Sequence, residues 1–149
     1  MLNTVIFYVL DKTIKQYRQF AQSCIDQAGI DITVDQWLVL NVIQEAPALG
    51  QADIGERVFK DQASVARIIS LLEKKNLLQQ VASQEDRRRI NRLITPQGQQ
   101  LIEAVTPVVL QYRSTALRGI DESAIEQCRQ TLELIFRNCQ STTNGQSGE

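Results

Sequence analysis

Apolar side chains at Leu2, Val5, Ile6, Val9, Leu10, Ile14, Tyr17, Ala21, Cys24 and Ile25 recur at helical spacing and predict one long helix from Leu2 to Ala28, closed by Gly29. A helix of that length outruns a single small core, so part of its stripe is expected to meet a second subunit. Thr33 followed three residues later by Gln36 has capping-box spacing and opens a second helix, with Trp37, Leu38, Leu40, Val42 and Ile43 on its buried side and Pro47 at its end. A short run from Gln51 to Phe59 puts Ile54, Val58 and Phe59 on one side, with Gly55 where a crossing helix must come close.

Asp61 is placed to cap a fourth helix whose inner face is Val65, Ile68, Ile69 and Leu72. Gln62, Ala63, Ser64 and Arg67 fall toward the opposite side, a short polar surface able to approach base edges and phosphates. The third and fourth runs together have the form of a helix-turn-helix, the fourth being its recognition helix. Asn76 stands where a helix end calls for a left-handed residue. Leu77 to Ala82 and Ile90 to Ile94 read as two short strands joined by a loop. Thr95 starts a helix running to about Arg118, which Pro107 is expected to kink or split. Asp121 opens the last helix, striped by Ala124, Ile125, Cys128, Leu132, Ile135, Phe136 and Cys139. The predicted fold is mainly α with a small β-hairpin.

The loop between the strands carries Arg87, Arg88 and Arg89 in a row. Arginines at a hairpin tip can enter a groove of duplex DNA while the flanking strands fix their position. The overall net charge of -1 hides this: Gln51 to Thr95 holds nine basic against six acidic residues, a surplus of three, and the rest of the chain is therefore at -4. A basic middle between acidic flanks is the pattern of a local phosphate-facing surface.

The remaining chemistry narrows the picture by what it lacks. The chain has no histidine and three widely spaced cysteines, which disfavours a zinc site or a disulfide scaffold, so no metal and no cofactor are expected. No nucleophile with a base, paired-carboxylate motif or glycine-rich phosphate loop appears, so an enzyme is not expected. Asp11 and Lys12 interrupt the apolar N-terminal residues; no signal peptide or membrane span is expected, and the expected location is cytoplasmic. Cys24, Cys128 and Cys139 read first as small core residues. Cys128 and Cys139 lie about 16 Å apart along one helix at ~1.5 Å per residue, which leaves an intersubunit bridge as the geometry for any redox role.

The order of long helix, helix, helix-turn-helix, hairpin wing and two further helices resembles the MarR family of bacterial transcriptional regulators. The sharpest match is the wing signature of Asp86, Arg88, Thr95 and Gly98 at family spacing. Thr33, Gln36, Trp37 and Leu40 match in the second helix, and Ser64, Arg67, Leu72 and Glu73 in the recognition helix. Ala66 stands where many members carry threonine, Asn76 replaces a frequent glycine, and Gln80 occupies a strand position that is often basic.

The resemblance implies a homodimer joined through a helical dimerisation region, residues 1–30 and 96–140, with a winged helix-turn-helix lobe at 31–95 and a flexible tail at 141–149. Its partners would be double-stranded DNA carrying a near-palindromic operator, a second copy of itself, and a small aromatic or phenolic effector that releases a repressor from its site. Gln62, Ser64 and Arg67 are assigned to base edges or nearby phosphates, with Ala63 and Val65 beside thymine methyls. In the wing, Asp86 and Arg88 have alternate spacing, so the acid is expected to orient that arginine, leaving Arg87 and Arg89 for groove or phosphate. Two competing readings are a winged-helix protein-interaction adaptor without operator recognition and a cysteine-based redox-responsive regulator.

Overall fold

The computed structural model describes residues 1–144. A 3-10 turn, Leu2–Thr4, leads into α1 (Ile6–Gln27), followed by α2 (Val34–Glu45), α3 (Gln51–Val58), α4 (Gln62–Lys74), β1 (Leu78–Ala82), β2 (Ile90–Ile94), α5 (Pro96–Ala116) and α6 (Glu122–Asn144). Of the tail expected at 141–149, residues 141–144 continue α6 and residues 145–149 lie outside the described residues. Pro107 lies inside α5, which runs through it unsplit.

Two compact units divide the chain, Met1–Arg113 and the segment from Ser114 onward. In the first, one apolar core gathers Ala21 and Ile25 of α1, Trp37, Val39, Leu40 and Ile43 of α2, Ile54 of α3, Val65, Ile69 and Leu72 of α4, and Ile102, Val105, Val109 and Tyr112 of α5. Only the C-terminal half of α1 shares in that core. Its start leaves Leu2, Val5, Ile6, Phe7 and Ile14 exposed. In the second unit no residue of α6 among those whose burial is described is buried, and Leu132, Leu134 and Phe136 lie open.

Local rules explain where the helices begin and end. Thr33 Oγ1 accepts from the Gln36 amide while Gln36 Oε1 accepts from the Thr33 amide, so the capping box is complete. Asp61 accepts from the Ser64 amide at 2.7 Å and starts α4. Three helices of the lobe and its approach end on a left-handed residue followed by a bond back across the last turn. Ile30 bonds to Ile25, Lys60 to Gly55 and Leu77 to Leu72, around Gly29, Phe59 and Asn76. Phe59 is the unexpected member. At φ 58° and 81% exposure it turns away from the core that its place in the apolar pattern suggested.

Gly55 is required by the same turn. A Cβ there would stand 2.6 Å from the Lys60 carbonyl oxygen, so the tight neighbour is the chain leaving α3 and not a crossing helix. Gly98 meets a comparable demand where the hairpin returns. A Cβ there would overlap the Leu77 carbonyl and the Ile94 side chain. Thr95 completes the joint: its hydroxyl donates to Asn76 O at 2.7 Å and accepts from the Gly98 amide at 3.0 Å. The Thr95 and Gly98 spacing thus encodes the junction of α4, β1, β2 and α5.

Candidate nucleic-acid interface

Helix α4 presents one face inward and the other to solvent. Val65, Ile69 and Leu72 have almost no exposure, whereas Gln62, Ala63 and Arg67 are exposed and Ser64 is half-buried. Arg67 forms no ion pair among the described residues, and its charge helps hold the Asp61 carboxyl below the ordinary aspartate range. The larger cause of that shift is the pair of hydrogen bonds from Ser64. Val65, expected beside thymine methyls, is corrected by its burial. With 0% exposure its side chain belongs to the core and cannot touch a base.

The wing is an antiparallel pair with Leu78 opposite Ile94, Gln80 opposite Arg92 and Ala82 opposite Ile90. Its tip is organised by short polar bonds. Ser83 Oγ accepts from the amides of Glu85 and Asp86, Ser83 N donates to Arg89 O at 3.0 Å, and Arg89 N donates to Asp86 O at 3.0 Å. Asp86 Oδ1 accepts the Arg88 backbone N–H at 3.0 Å, an Asx turn. The other carboxylate oxygen lies 3.8 Å from Arg89 Nε. Asp86 therefore shapes the turn and faces the side chain of Arg89, not that of Arg88 as expected. Arg87, Arg88 and Arg89 are all exposed, and the first two form no ion pair among the described residues.

Arg92 is the residue the sequence pattern undervalued. It counted only toward local charge, yet it is 5% exposed and ties the wing to the α2–α3 loop. Its backbone N–H donates to Pro47 O at 3.0 Å and its Nη1 to Leu49 O at 2.9 Å. Burial pushes the guanidinium below the ordinary arginine value, with the charge of Glu73 opposing the shift. Strand alternation held the signal, since Arg92 is two residues from half-buried Ile94 on the same side of β2. Gln80, where a basic residue was frequent, bonds instead to Glu73 and joins β1 to α4.

The cysteines depart from expectation as well. Cys24 is half-buried, but Cys128 and Cys139 are exposed on α6 and not core residues. Among the described residues no cluster of histidine, cysteine and carboxylate side chains could hold a metal ion. No helix among them is long and apolar enough to cross a membrane.

A family model described as the MarR family matches residues 30–89, which run from the start of α2's approach to the wing tip. Over those residues the chain is similar to the MarR family. Among the similar proteins, an HTH-type transcriptional repressor of Pseudomonas putida, IacR, is 24% identical over 135 residues, covering 91% of this chain and 80% of that one. Two further curated relatives align over 61% and 60% of their own lengths. The crystal structure of a Staphylococcus aureus MepR–DNA complex shares the fold with a TM-score of 0.78 and 24% identity, over 90% of this chain and 98% of that one. CouR from Rhodococcus jostii RHA1, bound to p-coumaroyl-CoA, does so with a TM-score of 0.80 and 20% identity, over 91% and 94%.

Proposed function

We propose that this protein is a regulator of the MarR family, a sequence-specific repressor that binds duplex DNA as a homodimer and is released by a small-molecule effector. The observation that carries the reading is the pairing of two open cationic elements in one lobe: Arg67 on the outer face of α4, and Arg87 to Arg89 at a wing tip shaped by Asp86. Gln62, Ala63, Ser64 and Arg67 would read the major groove, and the wing arginines the neighbouring minor groove. Val65 and Asp86 act by placing those residues. The DNA in the MepR structure supports the same use of this fold.

The dimer is supported by the apolar side chains left open at the start of α1 and along α6, where a second copy could cover them. Two recognition helices then need to meet successive major grooves on one face of the duplex. The effector reading draws on CouR, solved with a coenzyme A thioester, and on an aromatic corner of this chain. There Tyr17 and Phe20 meet Tyr112 edge to face, the Arg113 guanidinium sits 5.6 Å from the Trp37 ring centre, and the buried Trp37 Nε1–H has no acceptor among the described residues. Ring faces and a cation in one region are the groups that suit an aromatic anion.

Selection of bound fragments from the source genome, followed by fluorescence anisotropy at fixed salt, tests the proposal. Arg67→Ala is expected to weaken binding to a selected fragment by about tenfold or more while sedimentation still shows the dimer. Failure to select any shared motif at low salt would favour the protein-interaction adaptor instead.

A further inference from the structure

The wing root borders a cleft of about 850 Å³ whose lining brings together Arg88, Arg89 and Arg92 from the wing with Gly50 and Gln51 from the start of α3. We propose that this cleft is an oxyanion site in which Arg92, the two wing arginines and the first N–H groups of α3 hold a phosphate or carboxylate group. It is separate from the outer face of α4 and from the aromatic corner around Trp37.

Two independent features converge on it. The first is Arg92 itself, whose guanidinium is almost wholly removed from water and yet has no carboxylate at ion-pair distance among the described residues. Nη1 reaches a neutral carbonyl, that of Leu49, and the buried Nε–H has no acceptor among the described residues. A cation taken out of water with no carboxylate nearer than the charge of Glu73, which forms no ion pair with it, is costly, and a planar fork of donors is suited to an oxyanion. The second is the start of α3. Gly50 supplies no side-chain cap, and the first bond back along the helix is from Ile54 N to Gly50 O, so the preceding amides point out of the helix end with the positive end of its dipole.

Asp53 also lines the cleft. Even with Arg89 facing Asp86, Arg88 and Arg92 outweigh this one lining carboxylate, so the site is cationic and Asp53→Asn is expected to tighten binding. The same oxyanion chemistry can come from two sources, a backbone phosphate of bound DNA or a free anion in solution. Only the first rests on the DNA-binding reading above.

Titration of the full-length protein with inorganic phosphate, at ionic strength held constant with chloride, tests the site by following arginine Nε–H and backbone amide resonances. Saturable shifts of Arg92 Nε–H and of the Gln51 and Ala52 amides are expected. Arg92→Met should abolish them, and Arg88→Gln, an exposed position that leaves the core intact, should weaken phosphate binding by at least about threefold. Shifts that never saturate, or saturation unaltered in Arg88→Gln and in any folded Arg92→Met protein, would overturn the proposal. Adding a duplex of about 20 base pairs to the phosphate-loaded protein separates the sources. Displacement of phosphate assigns the site to the DNA backbone, and retention on the DNA-bound protein assigns it to a free anion. Saturation by phosphate with no duplex binding would keep the site and defeat the DNA reading.

Discussion

Helix α4 is seated by three side chains with almost no exposure, Val65, Ile69 and Leu72, whereas the wing tip is shaped by hydrogen bonds among its own exposed residues. Both present arginine outward. One cationic element has its direction set by a core shared with four other helices, and the other by a local polar turn on a hairpin rooted through Arg92. Solvent and salt have little purchase on the first, but the second is held by bonds that water can replace.

Leu72→Ala should produce the largest effect, because it removes a fully buried side chain from beneath α4. A loss of about 3 kcal/mol in denaturant unfolding, at fixed protein concentration, is expected. A loss below about 1 kcal/mol would mean that α4 is not seated by the core and the contrast fails.

Phe59→Gly should act in the opposite direction, by about 1 kcal/mol of added stability, since glycine adopts the left-handed turn before α4 without a Cβ penalty. The expected readout is a higher melting temperature. An unchanged or lower one would show that the exposed ring makes a compensating contact.

Acid provides a smaller, signed test of the start of α4. Hydrogen bonds from Ser64 lower the Asp61 carboxyl in the folded protein, so the capping contribution is present above the ordinary aspartate value and is lost as pH falls through the lowered one. Unfolding curves between about pH 5 and about pH 2 should show a steeper acid loss for the wild type than for Asp61→Asn, whose neutral cap does not titrate. Parallel curves would remove the cap from the account. The smallest change in stability is expected for Asp86→Ala, within about 0.5 kcal/mol, because its bonds lie in water. Its mark should instead be broader amide resonances at Arg87 to Arg89, with α4 unaffected.

The features legible in the sequence are those governed by short-range rules. Thr33 with Gln36, Asp61, Asn76 and the Thr95 to Gly98 spacing each satisfy a backbone demand within a few residues, and each takes the expected place. Phe59 was hidden because apolar spacing counts it with Ile54 and Val58, while the path of the chain between α3 and α4 demands a left-handed residue there. Val65 could be given two faces only while α4 lacked its neighbours; Ile69 and Leu72 fix which side is inward. The partner of Asp86 depended on how the turn closes, a matter of backbone bonds and not of alternate spacing. Arg92 looked like one more basic residue until the α2–α3 loop was laid against β2.

Asp35 gives the lobe a pivot. Its carboxylate on α2 reaches Arg18 of α1 and, at 3.1 Å, the Lys60 ammonium in the turn before α4. Pairs so close to water contribute little to the depth of the folded state, but a single acid here holds both the long first helix and the doorstep of α4. Asp35 thus adds a polar link between α1 and the turn before α4 beside the apolar one made by Ala21 and Ile25, and a neutral side chain in its place would remove that link while the interior stayed intact.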